Sequence, residues 1–175
     1  LFSDITGYNG LLYKHTDNIY NDYASQQLLP QKYSQMGPFI TTGDINNDGT
    51  TDFFIGAAFN FSGKFFIQKP GAIFISKNLT DSIKFEEDQD CILFDADKDG
   101  DDDLYIATGG AQLPKKDKGY ADRFYRNDGK GNFSFDSTAI PALYNNKAAV
   151  KAADYDKDGD IDLLVCGSTV PGEYP

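Results

Sequence analysis

A nine-residue pattern occurs three times in this chain. Each copy is followed by a short apolar run closed by small residues, and the runs after that are joined by Pro-Gly and Asp-Gly turns. These three observations predict an all-β fold of antiparallel four-stranded blades, about two to three blades of a partial β-propeller. The pattern reads DINNDGTTD from Asp44 to Asp52, DADKDGDDD from Asp95 to Asp103 and DYDKDGDID from Asp154 to Asp162. The copies start 51 and 59 residues apart, a spacing that marks stacked supersecondary units.

Each element follows from the residues around these loops. The runs after them, DFFIGAA, DLYIATGG and DLLVCGS, are too short and too rich in β-formers for helices. The text before them is also strand-like: PFITTG at 38–43, CILF at 91–94 and AAVKAA at 148–153. Two more strands complete a unit. In the first unit they are KFFIQK (64–69) and AIFISK (72–77), joined by Pro70-Gly71. In the second they are DRFYRN (122–127) and NFSFDS (132–137), joined by Asp128 to Gly131. The chain divides accordingly. Residues 1–36 form an N-terminal segment, with Leu1 to Ile5 as a candidate last strand of a preceding blade. Blades with an acidic loop follow at 37–87 and 88–147, and 148–175 is a partial blade with the third loop. The polar stretch 112–122 is expected as an exposed loop, and Phe53, Phe65, Tyr105 and Phe124 as core.

Composition fits this picture and narrows the function classes. Of 175 residues, 40% are hydrophobic and 14% aromatic, as in a folded domain with a sizeable core. The net charge of −11 is concentrated: 14 of the 27 acids lie in the three loops, and the remainder of the chain is near +3. No basic stripe is present, so nucleic acid is not expected as a partner. No apolar run approaches a membrane span. The chain opens on Leu1 without a signal peptide, which suggests a processed protein or a piece of a longer chain or larger complex. Cys91 and Cys166 form no metal-binding or redox motif; two buried free thiols are expected, a cross-strand disulfide being the alternative.

The loops carry the chemistry. Crowded carboxylates repel one another unless a cation lies among them. Oxygen ligands alternating around a tight Gly turn suit Ca²⁺. An EF-hand needs an acid at position 12 and flanking helices; here that position is Ile55, Ile106 or Val165, and strands flank the loops. The site must therefore close on the position-9 aspartate, Asp52, Asp103 or Asp162.

This arrangement resembles the FG-GAP repeat of integrin α-type propellers and the related bacterial VCBS repeats. FYRNDGKGNFSFDSTA (124–139) is similar to the hairpin that closes a VCBS blade. The segment from Leu28 to Ala58 is similar to part of large bacterial VCBS proteins with an UnbV-type tail. The FG-GAP letters themselves are blurred to IGAA, ATGG and VCGS. The resemblance implies about three Ca²⁺ ions, each held by side chains at positions 1, 3, 5 and 9 and the carbonyl of position 7. The first set would be Asp44, Asn46, Asp48, Asp52 and the carbonyl of Thr50. The second would be Asp95, Asp97, Asp99, Asp103 and the carbonyl of Asp101. The third would be Asp154, Asp156, Asp158, Asp162 and the carbonyl of Asp160. Asn46 removes one charge and makes the first site the weakest.

The expected role is a calcium-stabilised, non-catalytic binding or adhesion scaffold of a secreted or cell-surface bacterial protein, outer-membrane associated or periplasmic placement included. A protein or carbohydrate ligand is expected on the face opposite the calcium loops, formed by 57–63, 78–90, 109–121 and 138–147. The alternatives are the propeller part of a polysaccharide-active lyase or hydrolase, and a structural subunit of a surface assembly. No catalytic or other cofactor-binding residue stands out. His15, the only histidine, has Asp17 nearby but no nucleophile pattern, and Asp122, Arg123 and Arg126 read as hairpin residues. The tyrosines at 8, 13, 20, 23 and 33, with Phe59, Phe61 and Tyr120, form a candidate carbohydrate platform.

Overall fold

The computed structural model describes residues 3–4 and 7–173. Among them lie ten strands, one helical turn (α1, Asp22–Ser25) and one 3₁₀ turn (Lys118–Tyr120). The chain is thus nearly all β, with antiparallel four-stranded sheets. The first sheet orders β1 (Ile40–Gly43), β2 (Asp52–Ile55), β3 (Lys64–Lys69) and β4 (Ile73–Asn78) in sequence. The second repeats this with β5 (Glu87–Phe94), β6 (Asp103–Gly109), β7 (Arg123–Asn127) and β8 (Phe133–Phe135). The third pairs β9 (Asn146–Ala153) with β10 (Asp162–Thr169). All pairings are antiparallel, so the three acidic loops lie at one end of the sheets and the β2–β3 and β4–β5 connections at the other. The candidate strand at Leu1 to Ile5 falls largely outside the described residues.

The sheets stack face to face through apolar side chains. Ile45, Phe54 and Phe65 of the first unit pack with Cys91, Leu93, Leu104, Ile106 and Tyr125 of the second. Phe65 stacks on Phe133 at 4.5 Å between ring centres. Tyr105, Ala107, Phe124 and Val150 form the second seam. First strands of neighbouring units lie side by side and are tied by polar side chains. Thr41 Oγ1 accepts the Leu93 N–H (3.2 Å), and Asp90 Oδ2 accepts that of Val150 (2.9 Å). On its other face the first sheet carries the stacked rings of Phe53 and Phe66, against which Tyr13 packs edge-on at 5.8 Å. The N-terminal segment thereby covers a face that would otherwise be bare.

Charged residues fill both seams. Lys84 Nζ sits 2.6 Å from Asp88 Oδ1, and Arg123 pairs with the same oxygen; all three side chains are buried. Asp88 also accepts the Ala57 N–H at 2.7 Å, which fixes the end of β2 against the start of β5. Burial alone would raise the Asp88 carboxyl, but the charges of Lys84 and Arg123 overcome it and hold the group below its usual range. In the other seam the buried Lys147 Nζ donates to the carbonyls of Tyr120 and Leu143, both at 2.6 Å, and lies 3.1 Å from Asp122. Asp122 in turn accepts from the Tyr105 hydroxyl (2.6 Å) and the Thr108 N–H (2.8 Å).

Several sequence expectations are corrected. Asp122 and Arg123 are not plain hairpin residues: Asp122 pairs with Lys147 of the next unit, and Arg123 holds Asp88, which itself reaches back to Ala57 of the first unit. Cys166 is exposed, because β10 has β9 on one side and no second strand among the described residues; Cys91 is buried, and both thiols are free. Phe53 is only partly buried, whereas Phe65, Tyr105 and Phe124 are core. The 112–122 loop is exposed at Pro114, Lys115, Lys116 and Lys118 but folds inward at Tyr120, which is fully buried with its hydroxyl on the Leu113 carbonyl (2.8 Å). Tyr33 is buried as well, so the proposed aromatic platform is divided between core and surface.

Two measurements check these seams. Asp88→Ala leaves Lys84 and Arg123 buried without their counter-charge and is expected to cost about 3–5 kcal/mol in urea unfolding. Glu87 gives the second. Burial pushes its carboxyl up to about 8. The folded chain therefore keeps a proton that the unfolded chain releases near its ordinary value, and this group's contribution to stability falls as pH rises from about 4.5 to about 8. Glu87→Gln is expected to remove that slope, so that the variant gains on the parent protein steadily between pH 5 and 7.5.

Candidate metal centre

Each acidic loop joins the first two strands of a sheet, and its backbone winds the same way in all three copies. Position 6 is Gly at φ +81°, +93° and +92° (Gly49, Gly100, Gly159), a left-handed conformation that a Cβ disfavours. Position 4 is also left-handed, at Asn47, Lys98 and Lys157 (φ +55° to +64°). No spacing rule pointed to position 4. Asn in the first copy was the available hint, because Asn tolerates this conformation better than other side chains.

The turn directs the carboxylates inward. The position-1 aspartate accepts the Gly N–H of position 6 in every copy: Asp44 from Gly49 at 2.8 Å, Asp95 from Gly100 and Asp154 from Gly159, both at 3.1 Å. The position-5 aspartate accepts the N–H of position 7: Asp48 from Thr50, Asp99 from Asp101 and Asp158 from Asp160. The position-9 aspartate reaches back to position 2, as Asp52 does to the Ile45 N–H (3.2 Å) and Asp162 to that of Tyr155 (2.9 Å). It also reaches sideways to the third strand, as Asp52 does to Gln68 N–H (2.7 Å) and Asp103 to Asn127 N–H (2.9 Å).

Carboxylate oxygens converge in two loops. Asp95, Asp97 and Asp99 each bring one oxygen within 4.8 Å of the others, as do Asp154, Asp156 and Asp162. In the second loop Asp95 Oδ1 is buried without a hydrogen-bond donor, and Asp103 Oδ2 is buried with no bond of good geometry, the Ala96 N–H acting on that carboxylate only weakly. An unpaired buried acceptor is costly, and a carboxylate oxygen especially so. Burial raises the carboxyls of Asp52 and Asp103 above their usual range. The first loop is different. Asn46 turns its amide N–H₂ toward Asp48 Oδ2 (3.1 Å), and the Thr50 hydroxyl holds the Asp48 carboxyl low. The residues at position 12 are no ligands: Ile55 and Ile106 are buried apolar side chains, Ile106 in the first seam, and the strands flanking each loop leave no place for EF-hand helices.

Neighbouring loops touch, which the sequence did not suggest. The Asn47 side chain bonds Asp101, and Lys98 bonds Asp160, so position 4 of one loop reaches position 7 of the next. Asn127 Nδ2 bridges the Ile45 and Asp102 carbonyls. A Cβ on Gly43 would lie 2.4 Å from Asp102 Oδ2, so the glycine before the first loop makes room for the second.

At the opposite end the segments 57–60 and 84–88 are bonded together, with Asn60 N–H on the Lys84 carbonyl (3.0 Å) and Phe59 N–H on Glu87 (2.9 Å). Part of the N-terminal segment also lies here. Asn18 bonds the Phe59 carbonyl, Gln89 Nε2 donates to the Tyr33 carbonyl at 2.9 Å, and Gln26 Oε1 accepts from Gly172 N–H at 3.1 Å. The face expected to meet a ligand is thus partly occupied by residues 18–35. His15 bonds the Tyr13 hydroxyl (3.3 Å) and Asp17 (2.9 Å).

No curated protein matches the chain. A family model described as an FG-GAP-like repeat matches residues 95–165, from the first aspartate of the second loop to just past the last aspartate of the third, so this stretch carries an FG-GAP-like repeat.

Proposed function

We propose that the chain is a calcium-stabilised segment of a β-propeller, serving as a non-catalytic binding or adhesion scaffold of a secreted or cell-surface bacterial protein. The observation that carries this reading is Asp95 Oδ1, buried without a donor in a loop where Asp95, Asp97 and Asp99 bring carboxylate oxygens within 4.8 Å of one another. A hard divalent cation meets that need; neutral donors do not suffice for so many charges. The ligands would be the side chains at positions 1, 3, 5 and 9 and the carbonyl at position 7 of each loop. The ion would neutralise the carboxylates and fix the hairpin. A shell closed by protein oxygens leaves no open position for substrate, which favours a structural ion over a catalytic one.

Two further points support a scaffold. The acid–base groups outside the loops are committed to packing: Asp88 with Lys84 and Arg123 inside the first seam, and Asp122 with Lys147 between the second and third sheets. Sites of this type bind at roughly 10⁻⁴ to 10⁻³ M outside cells, where calcium is millimolar.

Melting with and without calcium tests the reading. A site filled to ten times its Kd contributes about 1.4 kcal/mol, and each kcal/mol moves Tm by about 2–4 °C in a chain of this size. Three sites are therefore expected to raise Tm by about 8 °C or more between chelator and saturating calcium; an unchanged Tm overturns the proposal. Asp156→Ala, which removes an exposed oxygen of the third loop, is expected to leave the calcium-free Tm nearly unchanged and to reduce the calcium-induced rise by about a third.

A further inference from the structure

A cavity of about 420 Å³ opens in the seam between the first two sheets, on the side away from the acidic loops. Its walls come from the β4–β5 connection (Thr80, Glu86), the β6–β7 connection (Lys118, Asp122) and the outer strands β7 and β8. Two charged side chains in these walls each carry one polar atom without a partner. The Arg123 guanidinium donates through Nη2 to Asp88 and through Nη1 to the Tyr125 hydroxyl (3.2 Å), but its Nε–H has no acceptor. Glu86 Oε2 is buried and has no donor. Glu86 lies close enough for its charge to add to the forces that keep Arg123 protonated. Arg123 itself is only 6% exposed, so its unmet N–H is held in place rather than free to find water elsewhere.

The lining chemistry specifies a ligand class. Its ionisable groups are Glu86 and Asp122 against Lys118 and Arg123, two of each sign, so neither an anion nor a cation is favoured by net charge. Tyr125, Phe133 and Phe135 supply aromatic surface, and Phe135 is 56% exposed although it is the outermost ring of the second sheet. A fixed donor, an acceptor that can turn to the ligand and an accessible ring within one cavity of this size match a neutral molecule that carries hydroxyls on one side and C–H groups on another. Ligand hydroxyls can accept from Nε–H and donate to Oε2, since a hydroxyl oxygen does both. Charged partners make such bonds stronger than neutral ones.

The geometry points to a saccharide-binding site in this seam, with Arg123 and Glu86 engaging ligand hydroxyls and Phe135 stacking on the sugar face. The site deepens the binding-scaffold reading and rests on it, since it supplies the ligand class and the place where the ligand sits. Both atoms are closed off from solvent, so access requires the half-buried Glu86 side chain to turn and open a path to the Nε–H; Arg123 stays fixed by Asp88.

The chain has two arginines, Arg123 and Arg126, so its side-chain Nε–H spectrum contains two signals, and Arg126, bonded through Nε to Asp136 at 3.0 Å, is an internal control. The experiment titrates calcium-loaded protein with the methyl glycosides of glucose, galactose, mannose and N-acetylglucosamine, each to about 100 mM, and with sodium sulfate. At least one glycoside is expected to shift the Arg123 signal saturably while Arg126 stays in place. Phe135→Ala and Glu86→Gln are each expected to weaken that glycoside at least fivefold without changing the melting temperature. No shift with any glycoside overturns the site, as does a larger shift with sulfate. Glycoside-induced shifts confined to residues 57–63 and 78–83 also overturn it but leave the scaffold reading standing. That reading falls separately, through the calcium melting experiment.

Discussion

The structure depends on the carboxylate that ends each acidic loop. Asp52 and Asp103 start a second strand, accept a backbone N–H from the third, and are buried while doing so. One side chain thereby joins the loop to its sheet. If it were short, neutral or absent, the loop would lose its anchor and the third strand its alignment. The cost is a desolvated acid in an already acidic turn, which N–H groups from position 2 and from the third strand partly offset. Asp162 shares only the reach back to position 2, on the Tyr155 N–H; it is exposed, and no third strand lies beside it among the described residues.

Much of the fold was legible in the sequence because β-blades leave strong local signals. The third and fourth strands of the first sheet, KFFIQK and AIFISK, were bounded by Pro70-Gly71, and the observed β3 and β4 match them to within a residue. β5 was less visible. Its polar start, Glu87 to Asp90, looks like a loop, yet it is buried because those side chains meet Lys84, Arg123, Ala57 and Tyr33 from other elements. Burial of this kind depends on partners distant in sequence, and no local pattern can supply them. The same reason hid Lys147 and Asp122. Each reads as a surface charge until its counterpart is in place.

Within the acidic loops the alternating oxygens and the Gly at position 6 were apparent from spacing alone. The left-handed position 4 was not, since Lys98 and Lys157 give no hint of it, and its contact with the following loop involves residues more than fifty positions apart. Tyr155 illustrates how far neighbours decide burial. It occupies the same loop position as Ile45, which is fully buried against the second sheet, yet Tyr155 is 87% exposed because no sheet lies beyond it among the described residues.

The outer margin of β10 has a related meaning. Its backbone N–H and C=O groups on that side pair with no strand among the described residues. Such a margin acts as a template. Any strand that comes to lie there takes its direction and its alternation of inward and outward side chains from β10, as β3 takes them from β2 and β7 from β6. The plan for enlarging the third sheet is therefore already written in main-chain atoms, independently of which side chains arrive.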